Sequence, residues 1–232
     1  MNIKINPIQR TTLTLMTFAL GGIIINDFKI QILIHLMTTL GFGLILFFIF
    51  KLISKQNKNI WNTIISCLIL FLVLHYGIQN TQVLPALIAT FITIFSKFFL
   101  EYKGSPIINP VVLGLFTLAL LSKIIPSLQP AFISWWGTSY KFIFPGTGYQ
   151  IPLALIFIIT WIVFGLGKWR KFPIFFSYLL TFALLFTIFH KAPEGTTLIN
   201  TLKFTFFHDA TIYFFAAIML IEPRTSPMLK SQ

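Results

Sequence analysis

Apolar runs separated by short polar segments make up most of the chain. There are eight of them: Thr11–Ile25, Ile30–Phe50, Thr63–His75, Val83–Leu100, Val111–Ile125, Ile151–Leu166, Pro173–Phe189 and Phe207–Ile221. A run of about 20 apolar residues is typical of a helix that crosses a bilayer, and shorter runs are typical of tilted or discontinuous helices. The pattern predicts an all-α polytopic membrane protein with about eight transmembrane helices. Six crossings and one re-entrant pair are the alternative.

Composition supports the same class. Hydrophobic residues make up 56% of the chain, charged residues only 9%, and the mean hydropathy is +0.88. A soluble domain carries about 25% charged residues, so the numbers indicate a protein of the lipid bilayer. The net charge of +12 would also suit nucleic acid. The basic residues, however, stand in small groups between apolar runs and form no basic face, which excludes that partner.

The distribution of the basic residues predicts the orientation. With eight crossings and the N-terminus in the cytoplasm, twelve of the 17 Lys and Arg residues fall on the cytoplasmic side. The remaining five are Lys29, Lys123, Lys141, Lys191 and Lys203. Cytoplasmic loops of membrane proteins carry such an excess of positive charge. We therefore expect a multi-pass protein of the inner (cytoplasmic) membrane with both termini in the cytoplasm.

A polar segment with two prolines leads into the fifth run. Pro106 and Pro110 have no amide donor, and each disfavours helix in the residue before it, so a helix should begin at or just after Pro110. If that start lies at membrane depth, its free amides form an electropositive cup for an anionic or carbonyl-rich ligand. An ordinary interfacial loop is the alternative.

The segment Glu222–Pro227 has a similar pattern after the last apolar run, also on the predicted cytoplasmic side. Arg224, two positions after Glu222, is expected to be the partner of this carboxylate at the lipid boundary or the partner of an anionic ligand. The two proline segments are separated by about half of the chain, as in membrane folds with internal repeats. We expect a single transmembrane domain, 1–232, with repeat halves of about 1–125 and 126–232.

Few other residues suggest chemistry. His208 and Asp209 open the last run, either as a helix cap or, together with Glu222, as part of a proton or cation pathway. Glu101 is expected to form a surface pair with Lys97 or Lys103. One cysteine excludes a cysteine-based iron–sulfur or zinc site in the isolated chain, and no metal site is predicted. His35 and His75 would share a haem only if they lay at matched depths on facing helices.

The two proline segments resemble a known family of membrane proteins. Its members are related subunits of the sodium-translocating NADH:quinone oxidoreductase and of the Rnf ferredoxin:NAD oxidoreductase. Ser105–Gly114, with Asn-Pro-Val-Val-Leu-Gly, resembles the Asn-Pro-x-x-Leu-Gly segment of this family. Met219–Pro227 resembles its late Asp-Pro-x-Thr/Ser segment, with Glu222 at the acidic position. The resemblance implies a fold of inverted repeats similar to urea transporters, and flavin-mediated electron transfer coupled to ion movement.

The resemblance also implies a binding site, with one departure. In that family a flavin mononucleotide (FMN) is attached to a threonine of a Ser-Gly-Ala-Thr pattern, but the corresponding loop, Pro126–Gln150, contains only Thr138 and Thr147 in other contexts. We therefore expect no covalent flavin, and FMN or riboflavin would be bound non-covalently. The residues implied as cofactor-binding are Ser105, Asn109, Pro110, Gly114, Arg224, Thr225 and Ser226.

These observations lead to a functional hypothesis. The chain is expected to be an integral membrane subunit of a flavin-dependent electron-transfer complex, without catalytic activity on its own. Its partners would be other redox subunits or a soluble flavoprotein reductase, and quinone. A channel or transporter of a small polar solute, or a membrane anchor for a soluble reductase, are the alternatives.

Overall fold

The computed structural model describes residues 7–76, 83–102, 105–125, 128, 141–143, 150–152, 172–189, 196–208 and 212–213. Of these residues 84% are helical, which confirms the all-α class. The chain divides into two compact units, Met1–Gly137 and Thr138–Gln232. Each unit is described by itself below.

The described part of the first unit contains five helices. They are α1 (Pro7–Ile25), α2 (Ile30–Ser54), α3 (Ile60–Val73), α4 (Val83–Phe99) and α5 (Pro110–Ile124). A short antiparallel hairpin, which the sequence did not predict, joins α4 to α5. It pairs β1 (Glu101–Tyr102) with β2 (Ser105–Pro106).

The second unit contains a hairpin and two helices among its described residues. Strand β3 (Lys141–Ile143) pairs with β4 (Gln150–Pro152), and α6 (Phe172–Phe189) packs against α7 (Leu198–His208). The prediction that a helical run begins at Ile151 is wrong, because this residue pairs with Phe142 across the hairpin. The remainder of that run lies outside the described residues.

Six of the eight predicted runs coincide with helices α1 to α6, whose bounds differ from the prediction by a few residues. Of the last run, only its first two residues and the pair Ile212–Tyr213 are described, and these are helical. Within the described ranges, only α2, with 25 residues, is long and apolar enough to cross a membrane by itself, and five other apolar helices are shorter. The count of eight crossings therefore stays a prediction.

Helix α2 contains one π-helical turn, Met37–Gly41. Two buried threonines in this turn bond back to the helix. The hydroxyl of Thr38 donates to the Ile34 carbonyl at 2.8 Å, and that of Thr39 donates to the His35 carbonyl at 2.9 Å. Such local bonds satisfy the hydroxyl groups inside an apolar helix.

Helix α4 lies at the centre of the first unit, where it packs against α5 most extensively and also against α2 and α3. Part of its core is aromatic. Phe98 of α4 meets Phe47 and Phe50 of α2 edge to face, with ring centroids 5.7 and 6.0 Å apart. Edge-to-face pairs of this kind add to the stability of a core beyond the burial of their area. The packing holds α4 in place, and α4 in turn positions the hairpin and α5.

Candidate functional site

The first turn of α5 is capped by the side chain of the residue that precedes it. Asn109 Oδ1 accepts hydrogen bonds from the amides of Val111 at 3.0 Å and Val112 at 3.3 Å. The amide of Leu113 donates to the Asn109 carbonyl at 3.0 Å, and Pro110 has no amide to donate. The helix begins at Pro110 as predicted. The expectation of free amides there is wrong, because the asparagine caps them.

Gly114 lies one turn into α5 and is buried against α4. A Cβ atom at this position would overlap the hydroxyl oxygen of Thr93 and would lie 2.8 Å from the carbonyl oxygen of Ala89. Only glycine fits at this distance, since real Cβ atoms do not approach backbone oxygens so closely. The structure thus gives Gly114 a packing role, and its predicted part in cofactor binding stays a prediction.

The hairpin places the first of the two proline segments beside Glu101. Pro106 is the partner of Glu101 across the two strands, and the amide of Ile107 donates to the Leu100 carbonyl at 3.1 Å. Ser105 lies in β2, opposite Tyr102, and its side chain is outside the described residues. The chain that leads into α5 is therefore fixed to the end of α4.

Two lysines, an asparagine and Glu101 form an ionic cluster at this end of the unit: Lys58, Asn62, Lys97 and Glu101. Lys58 forms an ion pair with Glu101 and also donates to the Lys97 carbonyl oxygen, while the Lys97 ammonium donates to the Asn62 carbonyl oxygen. The predicted partners of Glu101 were Lys97 and Lys103. The ion pair that the structure shows joins residues 43 positions apart, which local spacing could not predict.

The ionic cluster is largely shielded from solvent. The side chains of Lys58 and Glu101 are 17% and 18% exposed, and Lys97 is 7% exposed. The Lys58 ammonium also lies 5.5 Å from the centre of the Phe98 ring, a cation–π contact. The cluster thus brings two ammonium groups and one carboxylate to one end of the unit, in surroundings where charges act strongly.

Three buried hydroxyl groups form a second polar feature, which the sequence did not indicate. Ser66 of α3 and Thr90 and Thr93 of α4 are 0% exposed, and their oxygens have no hydrogen-bond partner in the described part of the chain. Buried polar atoms are nearly always bonded, so each exception calls for a physical account. In the sequence these three residues stand out only as hydroxyl side chains within apolar runs. Only the packing shows that they are enclosed.

His35 lies inside the first unit. The residue is 3% exposed, its Nε2 lies 3.2 Å from the Phe71 carbonyl oxygen, and its ring stacks on Phe71 with 5.4 Å between centroids. Within the described residues no three His, Cys, Asp or Glu side chains come together as metal ligands do. The structure therefore gives His35 a packing and hydrogen-bonding role, and a haem shared with His75 stays a hypothesis.

The second predicted segment lies beyond the described residues. His208 closes α7, but its side chain is not among the described ones. The other predicted residues outside the described ranges are Asp209, Glu222, Arg224, Thr225 and Ser226. Their roles in cofactor binding and in an ion pathway stay predictions.

Comparisons with models of protein families, with curated proteins and with solved structures give no match. The resemblance to the membrane subunits of the two redox complexes therefore rests on the sequence segments alone.

The start of α5 does not fit a flavin phosphate as it stands. The two first-turn amides that a phosphate would use are bonded to Asn109 Oδ1. Positive charge is present in the same unit, in Lys58 and Lys97. No step through a flavin follows from this geometry.

Proposed function

We propose that this protein is an integral membrane subunit of a flavin-dependent electron-transfer complex of the NADH:quinone or Rnf type. The observation that carries the proposal is the join between Asn109–Pro110 and the ionic cluster. The Asn-Pro-x-x-Leu-Gly segment begins α5, and the hairpin before it connects that start to Glu101 of the ionic cluster. Charged side chains next to a helix start suit a subunit that handles anionic carriers.

The outer surface of the helices supports a place in the bilayer. Large apolar side chains stand exposed along them, among them Met37 at 71%, Leu52 at 79%, Ile124 at 76% and Ile188 at 69%. Water-soluble proteins rarely expose so many, whereas hydrocarbon accepts them without cost. Helix α2 adds one span of sufficient length. Eight crossings, with both termini in the cytoplasm, are part of this proposal.

Within this role, the described residues position the helices and provide electrostatics. Gly114 lets α5 approach α4, and Asn109 fixes the first turn of α5. The ionic cluster would contact charged side chains of a partner reductase at the same end. Coupled ion movement would use Asp209, Glu222 and His208. Electron donors and acceptors come from partner proteins.

Purification with partners tests the proposal. The protein is solubilised in a mild detergent with its associated proteins, and absorption spectra and released flavin and quinone are measured. We expect about one flavin per complex, together with a flavoprotein or quinone. A complex that contains neither flavin, quinone nor haem would contradict an electron-transfer role.

Asn109 allows a sharper test. Asn109→Ala removes the cap and should lower the free energy of unfolding by about 1 kcal/mol, whereas Asn109→Asp keeps an acceptor oxygen and should retain stability. Electron transfer from NADH or ferredoxin by the complex separates the roles. If Asp restores activity, Asn109 acts as a cap alone. If Asn109→Asp is as stable as the unchanged protein but inactive, the amide group of Asn109 serves the redox site.

A second candidate function, transport of a small polar solute, is favoured by Ser66, Thr90 and Thr93. Their enclosed hydroxyls would replace water around a solute that passes among the helices of the first unit. Flux of urea or of monovalent cations into liposomes decides between the two functions, because the redox subunit alone should carry none. Flux that falls in Thr90→Val and Thr93→Val would establish transport.

A further inference from the structure

An open groove of about 540 Å³ lies where α2 ends. It is lined by the last turns of α2 and by the residues that follow them: Phe48, Lys51, Leu52, Lys55, Gln56 and Asn57. We call it the α2 groove. It has no part in the function proposed above, since the ionic cluster is formed by other side chains.

The α2 groove combines two cations with an apolar wall. Lys51 and Lys55 are four positions apart and carry its charge, and no acidic residue is among the six that line it. Phe48 and Leu52 line the same groove and are 54% and 79% exposed. The two lysines therefore suit an anionic ligand, and the exposed apolar side chains suit a ligand that has a hydrocarbon part.

Gln56 adds a hydrogen-bond acceptor to the groove. Its Oε1 is buried and has no hydrogen-bond partner among the residues that the structure describes. If the amide turns into the groove, this oxygen can accept a hydrogen bond from a hydroxyl group of the ligand. Lysine ammonium groups cannot be satisfied in the same way, because they only donate. The groove therefore suits a ligand that carries both an anion and hydroxyl donors.

We propose that the α2 groove binds the headgroup of a phosphatidylglycerol-type phospholipid. The phosphodiester would lie between Lys51 and Lys55, a glycerol hydroxyl would donate to Gln56, and an acyl chain would follow Phe48 and Leu52. Both lysines are on the predicted cytoplasmic side, where a membrane protein meets anionic headgroups. The inference rests on the proposed membrane location and not on the proposed electron transfer.

Lipid titration of the full-length protein in mild detergent, followed by native mass spectrometry, tests the site. The probes are phosphatidylglycerol, phosphatidic acid, phosphatidylcholine and inorganic phosphate. We expect the strongest binding for phosphatidylglycerol and an affinity about 30-fold lower in the double variant Lys51→Gln/Lys55→Gln. Arginine at both positions should retain binding. Gln56→Leu should weaken the binding of phosphatidylglycerol more than that of phosphatidic acid, which has no headgroup glycerol.

A double variant with the same change of charge is the control. Lys29→Gln/Lys123→Gln alters two exposed lysines outside the groove and should leave binding within about threefold, as expected for screened, distant charges. Equal binding of phosphatidylglycerol and phosphatidylcholine, or equal losses in both double variants, would overturn the proposal. Competition by inorganic phosphate at similar affinity would also overturn it, since the groove would then be a site for free phosphate.

Alkaline extraction of membranes separates this inference from the proposed function. A protein that is released by the wash does not span the bilayer, and both proposals then fail. A protein that stays in the membrane but shows no preference for phosphatidylglycerol removes the lipid site alone. Loss of flavin from the purified complex would affect only the electron-transfer proposal.

Discussion

Among the described glycines of the first unit, Gly43 and Gly114 make the closest contacts, and these two differ in what surrounds them. A Cβ atom at Gly43 of α2 would overlap the Cys67 sulfur and lie 3.3 Å from the Thr90 methyl group. At Gly114 of α5 the obstacle includes the carbonyl oxygen of Ala89. Side chains can turn aside, but a backbone oxygen moves only with its helix. The contact between α4 and α5 is therefore the less adjustable of the two.

That difference bears on the candidate site. Gly114 lies one turn after the capped start of α5, so a shift of α5 would move Asn109 and the hairpin as well. Gly43 packs in the middle of α2, away from the residues of the ionic cluster along the chain. Small residues at such contacts let membrane helices approach closely. We expect substitutions at Gly114 to affect both stability and the site.

The largest effect is expected for Gly114→Ala. The added methyl group would press on the backbone of α4, and the free energy of unfolding should fall by about 2–3 kcal/mol, although alanine favours helix. Thermal unfolding in mild detergent measures the change. Gly21→Ala in α1 is the control, because a Cβ atom there meets nothing within 4 Å. Equal stability of Gly114→Ala and Gly21→Ala would contradict the prediction. It would show that α4 and α5 can move apart to make room for the methyl group at little cost.

A smaller effect is expected for Gly43→Ala, about 1–2 kcal/mol, because the Cys67 and Thr90 side chains can yield. Removal of the sulfur should make room for the new methyl group. The double variant Gly43→Ala/Cys67→Ala should then be more stable than the sum of the single changes by about 1 kcal/mol, as measured in a double-mutant cycle. Strict additivity would show that the sulfur is not the obstacle.

The smallest effects concern the two threonines that face these glycines. Thr90→Val and Thr93→Val replace a hydroxyl that has no described partner, so each should leave stability unchanged or raise it by up to about 1 kcal/mol. Chemical denaturation can resolve such differences. Thr93→Val is the more informative of the two variants, because the Thr93 oxygen is the atom that faces Gly114. A marked loss of stability in Thr93→Val would reveal a hydrogen bond at that oxygen.

Much of the helical structure could be predicted from local pattern. Apolar runs bounded by polar residues located α1 to α6, and the proline rule located the start of α5 at Pro110. The two hairpins were missed because strands of two or three residues are too short to show alternation. Ile151 was assigned to a helix for the same reason, since its apolar neighbours fit either period.

The candidate site was less predictable, for two different reasons. The capping role of Asn109 had a local signal, because asparagine directly before a proline at the first helical position is a common N-cap. The expectation of free amides overlooked the side chain beside them. The pairing of Lys58 with Glu101 had no such signal, because it depends on how α3 and α4 pack. Long-range ion pairs require the fold.

The π turn of α2 bears on how the length of this helix can change. A π turn holds one residue more than an α-helical turn, so a chain without that residue could close Met37–Gly41 as ordinary helix. Each added or lost residue elsewhere in a helix turns all that follows by about 100° around the axis. A deletion here would leave the two halves of α2 facing as they do now, which makes the centre of the helix more tolerant of deletion than its flanks.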